Sequence, residues 1–216
     1  MDDALKRHYR LPFTLLVLLV AICLATGYDP PAGRLNWFLE VGPGLAGVAV
    51  LVAVHRRFPL SHLSYLCVFF HMLILIYGGI YTYAETPLGN WAQEAFNLSR
   101  NHYDRVGHLA LGVFPAFITR EVLLRQTPLR PGGWFTFIIL SVILAVAAFW
   151  EIVEWWVAVL AAPDVGHAFL GSQGDPWDAQ WDLLLALVGA TVSLALGSRI
   201  HDRSIARVPA VDRSLG

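Results

Sequence analysis

Long apolar stretches, each followed by a shorter polar connection, run along the whole chain. A helix that crosses the ~30 Å hydrocarbon layer of a bilayer needs roughly 20 mostly apolar residues, and six of the stretches approach or reach that length. We therefore predict an all-α fold, a polytopic membrane helix bundle that forms a single transmembrane domain over residues 1–216. The predicted spans are 11–28, 35–54, 61–83, 104–124, 134–161 and 182–198.

The composition agrees with this pattern. Of 216 residues, 56% are hydrophobic and only 14% are charged, against roughly 25% charged residues in soluble domains. The length suits about six helices with short connections and leaves no room for a separate soluble domain. We therefore expect contact with the lipid bilayer and no nucleic-acid partner, and the oligomeric state is left open.

The first apolar stretch fits either a cleaved signal peptide or a retained span. Lys6, Arg7 and Arg10 precede it, as basic residues do in a signal peptide. Its apolar part is longer than the core of a usual signal peptide, and no clear cleavage site follows it. We predict a retained helix, with a cleaved signal peptide as the alternative.

The basic residues predict the orientation. When alternate connections are assigned to alternate sides of the membrane, twelve of the fifteen lysines and arginines fall on one side. The positive-inside rule makes that side cytoplasmic, together with both chain termini. The segment 199–216 is then a basic, poorly ordered cytoplasmic tail, and the connections 84–103 and 162–181 are outer loops.

Two carboxylates, Glu151 and Glu154, interrupt the fifth predicted span. They are three positions apart, so they share one face of a helix. An ionised side chain in the hydrocarbon layer costs roughly 2.5–3.5 kcal/mol, and two like charges on one face also repel each other. Protons, a basic partner or a metal ion must therefore compensate them.

Further polar residues fall in the same outer half of the predicted bundle. Asp104 and His108 are four positions apart, as are Asp178 and Asp182, so each pair shares a helical face if one helix includes both. Counting residues from the helix ends predicts that His71 lies level with Glu151, and His108 level with Glu154.

Carboxylates combined with neutral imidazoles are suitable ligands for Zn²⁺, Mn²⁺ or Fe²⁺. A metal-bound water would be a nucleophile at neutral pH, and a remaining carboxylate could act as its base. We therefore hypothesise a metal-assisted site at the outer face that acts on a lipid-linked or cell-envelope substrate. The predicted metal ligands are His71, Asp104, His108, Glu151, Glu154, Asp178 and Asp182. The predicted catalytic residues are His108, Glu151, Glu154 and Asp182.

Two other functions fit the same residues. In a transporter or proton-coupled carrier, His71 and Glu151 would relay protons near the middle of the membrane. In a non-catalytic membrane protein, Arg100 and Arg105 would pair with the acids and form a structural network between the helices.

Several remaining residues have simpler predicted roles. Glu121 is expected to be a solvated partner of Arg120 and Arg125, and Cys23 and Cys67 are expected to be packing residues without a disulfide. Four tryptophans are expected to form the outer aromatic belt. These are Trp155, Trp156, Trp177 and Trp181.

Three motifs carry a family resemblance: NHYDRVGH at 101–108, EIVEWW at 151–156 and GDPWDAQWD at 174–182. With YTYAE at 81–85, they resemble the YjdF-like group of bacterial inner-membrane proteins over nearly the whole chain. The resemblance implies a multi-pass protein of the bacterial inner (plasma) membrane, in a family without an assigned activity.

A fainter similarity connects the chain with VanZ-like membrane proteins, which are linked to resistance to glycopeptide antibiotics of the teicoplanin type. The matching positions are Asp104 with His108 in one span, Glu151 in the next, and Asp182 with Gly189 in the last. Glu154 stands where this similarity predicts a different polar residue. An envelope-directed role is implied by this similarity alone.

Overall fold

The computed structural model describes residues 3–160, 169 and 171–209, and the regular structure in these ranges is helical. The helices are α1 (Asp3–Gly27), α2 (Arg34–Val54), α3 (His62–Tyr81), α4 (Pro87–Phe96), α5 (Tyr103–Gln126), α6 (Gly133–Leu160) and α7 (Asp178–Ile205). A short 3₁₀ turn (Tyr83–Glu85) precedes α4. All except α4 are long and apolar enough to cross a membrane, which confirms the predicted bundle of six spans.

Two of the spanning helices are longer than predicted by more than one helical turn. α1 begins at Asp3 instead of 11, and α7 covers Asp178–Ile205 instead of 182–198. The predicted tail is therefore helical as far as Ile205. The additional turns are polar, and they bond to other parts of the bundle: His8 Nε2 lies 2.9 Å from the carbonyl oxygen of Leu60, and the amide of Leu63 donates to the hydroxyl of Ser204.

The direction of the chain alternates from span to span. The start of α1 and the end of α7 consequently lie at the same end of the bundle, which we call the terminal end, and the opposite end is the distal end. Contacts of His62 with the carbonyl of His8 and of Leu63 with Ser204 hold the terminal end together. That the terminal end faces the cytoplasm remains a prediction.

α5, α6 and α7 adjoin one another. Their shared core contains Ala116, Ile139, Ile143 and Ala186, all fully buried. α5 and α7 approach so closely that a Cβ at Gly112 would overlap the backbone carbonyl of Ala186. Small residues at such contacts allow helix backbones to approach, and here they align the faces of α5 and α7.

The other half of the bundle consists of α1, α2 and α3. Trp37 and Val41 of α2 pack against Met72 and Ile76 of α3, with Leu19 of α1. α3 also packs against α5, so it joins the two halves. Cys23 and Cys67 are free thiols in this half, in agreement with the prediction.

The predicted solvation of Glu121 is wrong, because its side chain is 0% exposed, whereas the predicted pairing with Arg125 is confirmed. Its carboxylate accepts hydrogen bonds from the Ser61 amide, the Ser64 hydroxyl and Arg125, and it lies 3.3 Å from His201 Nε2. These partners come from three helices and the segment before α3. Glu121 is therefore the centre of a buried polar network that connects α3, α5 and α7 at the terminal end.

Candidate functional site

Three buried side chains converge between α5 and α7 in the distal half of the bundle. Asp104 and His108 occupy successive turns at the start of α5, and Asp182 lies one turn into α7. One carboxylate oxygen or ring nitrogen of each lies within 4.8 Å of the others. The close packing of Gly112 on Ala186, and of Gly189 on Leu109, brings these two helix faces together.

Glu151 of α6 reaches the same group. Its Oε1 atom lies 3.4 Å from His108 Nε2, and Oδ1 of Asp104 lies 3.8 Å from the same nitrogen. Residue counting had placed His108 level with Glu154, but the carboxylate in contact with His108 is Glu151, one helical turn away. The count measured depth from the helix ends without allowing for tilt, and α6, with 28 residues as predicted, is long enough to tilt in the hydrocarbon layer or to protrude from it.

Several buried polar atoms of this group have no hydrogen-bond partner among the described residues. They are Oδ1 of Asp182, Oε1 of Glu151 and Nδ1 of His108. Buried polar atoms in proteins nearly always have partners, since an unsatisfied one costs about 1–3 kcal/mol. The three carboxylates also repel one another at this depth. Protons, a basic partner or a metal ion would compensate these carboxylates.

The two arginines at the distal end bind other acids. Arg100 pairs with Asp178 and also donates to the carbonyls of Gly171 and Ser172, and Arg105 pairs with Asp175 at 2.6 Å. Among the described residues, neither arginine pairs with Asp104, Glu151, Glu154 or Asp182. The arginines therefore form a network beside the buried group, with ion pairs to Asp175 and Asp178. Asp178, a predicted metal ligand, belongs to this arginine network.

A cavity of about 530 Å³ adjoins the group. Its walls come from α2, α3, α5 and α6, and its distal end is polar. The polar lining residues are Glu40, His71, Tyr83, Asp104, His108 and Glu154. His71 and Glu154 thus lie on the cavity, next to the group of Asp104, His108 and Asp182.

Glu40 and Tyr83 were not among the predicted site residues. Glu40 is 4% exposed, and no described residue donates a hydrogen bond to its carboxyl group. Burial raises the pKa of the Tyr83 phenol well above its usual value, and nearby Glu40 raises it further, so Tyr83 remains a neutral hydroxyl. Glu40 is the only acid in the second predicted span, and an isolated acid in an apolar span is the sequence signal that could have identified it as a site residue.

The tryptophans predicted for the outer belt lie at the distal end with large exposed surfaces. Trp155 and Trp156 are near the end of α6, and Trp177 and Trp181 are at the start of α7. Trp181 also stacks against the guanidinium group of Arg105, with 5.3 Å between the guanidinium carbon and the ring centre. This position agrees with an aromatic belt at the membrane interface.

Comparison with known proteins identifies the family. Residues 11–203 match a family described as "Predicted membrane protein (DUF2238)". The chain is 41% identical over 194 residues to the inner membrane protein YjdF of Escherichia coli K12, which covers 90% of this chain and 92% of that protein. No solved structure matches the chain. The chain therefore belongs to this YjdF-like family and is a multi-pass inner-membrane protein.

Proposed function

We propose that this member of the YjdF-like family is a membrane-embedded, metal-dependent enzyme that acts on a lipid-linked or cell-envelope substrate. The observation that supports the proposal is the convergence of Asp104, His108 and Asp182, whose potential ligand atoms lie within 4.8 Å of one another in a buried position. A divalent cation there would compensate the negative charge of the carboxylates and bind the unpartnered oxygen of Asp182.

The ligand types suit Zn²⁺, Mn²⁺ or Fe²⁺. Two carboxylates and one imidazole supply three protein ligands, a number typical of catalytic zinc sites that keep one position open for water or substrate. Ligand atoms on one tetrahedral ion lie roughly 3.4 Å apart, so small side-chain rotations would bring the observed group to that spacing. Oδ1 of Asp104 and Nε2 of His108 are already 3.8 Å apart.

Glu151 is suited to the role of general base. Its carboxylate contacts His108, and its Oε1 atom is not used in any hydrogen bond among the described residues. A divalent ion in this site would activate a water molecule and polarise a phosphoryl or ester oxygen of the substrate. Glu151 would then accept the proton of that water. The reaction class that follows is hydrolysis of a phosphoryl or ester group, with water as the nucleophile.

Metal content tests this proposal directly. Detergent-purified wild type, Asp182→Asn and Glu151→Gln, matched in folded yield, would be analysed by inductively coupled plasma mass spectrometry. Asp175→Asn is the matched control, because Asp175 is a distal-end acid that pairs with Arg105 outside the three ligands. We expect about one metal per chain in wild type and control, and its loss in Asp182→Asn. Wild type that takes up no Zn²⁺, Mn²⁺ or Fe²⁺ would refute the metal site.

A proton-coupled carrier is the second candidate, and His71 favours it. Its Nε2 atom is buried without a hydrogen-bond partner among the described residues, on the wall of the cavity and within electrostatic reach of His108. Protein in vesicles with an entrapped pH-sensitive dye would test it. Proton flux that needs no metal and is lost in His71→Gln would favour the carrier over the enzyme.

A further inference from the structure

The cavity continues beyond its polar end as an apolar groove along the bundle. Its back wall is formed by α3 and α5, with Leu75, Leu111 and Ile118, and its sides are α2 and α6. From Glu40 to Val50 of α2 the groove follows ten residues, which at 1.5 Å per residue is on the order of 15 Å. That length is about half of the ~30 Å hydrocarbon layer, or one leaflet.

α2 and α6 both line the groove but are not packed against each other, which leaves a lateral gap between them. Val50 of α2 and Phe149 of α6 both line it, and they are 61% and 60% exposed. Their exposed sides face outward within spanning helices, at the depth where the surrounding medium is the bilayer interior. The opening therefore faces the hydrocarbon chains of neighbouring lipids, and a lipid can enter without passing through water.

The middle of the α2 wall, from Pro43 to Gly47, has little side-chain volume. Pro43, Gly44 and Gly47 line it, and Gly44 is the point at which α2 contacts Met72 and Leu75 of α3. Gly47, unlike Gly44, is not at a helix contact, since a Cβ added there would meet nothing within 4 Å. The space beside Gly47 is therefore open groove and not a helix contact.

We propose that this groove binds a hydrocarbon chain of a membrane lipid, which enters between α2 and α6 and places its polar head beside Glu40, Glu154, Asp104 and His108. The volume of about 530 Å³ is typical of sites for small ligands, and the lining changes from polar to apolar along the groove, as an amphiphile requires. The same arrangement directs the head of the lipid to the proposed metal ligands.

This inference names the lipid part of the substrate, and its assignment as substrate rests on the proposed function. Binding of the chain itself does not depend on the metal. A phosphate head would be repelled by the acids unless a cation were present, whereas the apolar groove would hold the chain in either case.

Photocrosslinking tests the proposal. Wild-type protein would be placed in nanodiscs that contain phosphatidylglycerol with a diazirine in its acyl chain, and labelled residues would be located by mass spectrometry. We expect labelling of Leu111 and Ile118, which face the groove from α5, in addition to the general labelling of lipid-exposed residues such as Leu24 of α1. Labelling that is restricted to residues such as Leu24 would overturn the proposal.

Gly47→Leu provides a second test, with Gly42→Leu as matched control. Both glycines are on α2 and both have open space at the Cβ position, but only Gly47 lines the groove. Leucine also favours a helix more than glycine does, so both variants should fold. We expect labelling of Leu111 to fall at least fivefold in Gly47→Leu and to be unchanged in Gly42→Leu. Equal labelling of Leu111 in both variants would contradict the proposal.

The crosslinking is repeated on protein treated with EDTA. Because the readout is the position of the acyl chain, we expect the labelling of Leu111 to persist after the metal has been removed. A failure of the metal proposal therefore leaves this measurement intact, and a failure of the groove proposal leaves the metal content unchanged.

Discussion

The Nε2 atom of His108 lies 3.4 Å from the Oε1 atom of Glu151, and this contact joins α5 to α6 inside the membrane. It connects two motifs that are more than forty residues apart in the chain. Asp104 and Asp182 lie next to the same imidazole, because α5 and α7 pack closely. The contact with Glu151 therefore adds a third acid to these two. The sequence alone predicts both Asp182 and Glu151 as metal ligands, whereas this arrangement supports Asp182 as a ligand and Glu151 as a base beside the ligands.

The first prediction distinguishes the proposed metal ligand Asp182 from the neighbouring Glu151, which is not proposed as a ligand. Asp182→Asn should abolish stoichiometric zinc binding, because it removes a charged ligand from a set of three. Glu151→Gln should retain the metal with an affinity roughly 10–100-fold lower, the range for residues that act beside the ligands. Competition with a fluorescent zinc chelator measures both affinities. If Asp182→Asn bound zinc as tightly as wild type, Asp182 would not be a ligand.

The second prediction concerns Glu121. Glu121→Ala should lower the free energy of unfolding by about 3–5 kcal/mol, because it leaves Arg125 and the polar groups of Ser64 without their buried partner. Asp3→Asn, which removes only the exposed pair with Lys6, should change it by about 0–1 kcal/mol. Unfolding in mixed detergent micelles, followed by circular dichroism, compares the two variants. Equal losses would exclude a special role for the buried network.

The third prediction concerns the contact between α5 and α7. A Cβ at Gly189 would overlap the backbone of Leu109, so Gly189→Leu should separate the two helices and move Asp182 away from Asp104 and His108. We expect a lower melting temperature and the loss of metal binding. The control is again Gly42→Leu, whose new side chain meets open space. A Gly189→Leu variant that melts and binds zinc as wild type does would show that this contact does not align the site.

The fourth prediction tests the orientation. If the terminal end faces the cytoplasm, a cysteine in place of the exposed Glu94 on α4 should react with a membrane-impermeant maleimide in intact spheroplasts. A cysteine in place of the exposed Arg203 of α7 should react only after the spheroplasts are permeabilised. Wild type, with Cys23 and Cys67 within spanning helices, measures the background. The reverse pattern of labelling would reverse the orientation.

The sequence by itself determined the class of the protein and the position of its spans. Length and apolarity of a segment are local properties, and a segment such as 134–161 must form a helix in a bilayer because its backbone groups have no water to bond. Spacing likewise placed Asp104 with His108 on one helical face. The ends of the helices were less well predicted, since the polar turns of α1 and α7 are stabilised by distant partners such as Leu60 and Leu63.

Only the tertiary structure decided which faces meet. Sequence spacing indicates the face and approximate depth of a residue, but the neighbour of that face depends on how closely two backbones can approach, as at Gly112 and Gly189. This packing directs Asp178 to Arg100 and leaves Asp182 with His108. It also buries Glu121 and creates the groove between α2 and α6, because a cavity is formed by helices that are distant in the chain and has no local pattern in any one of them.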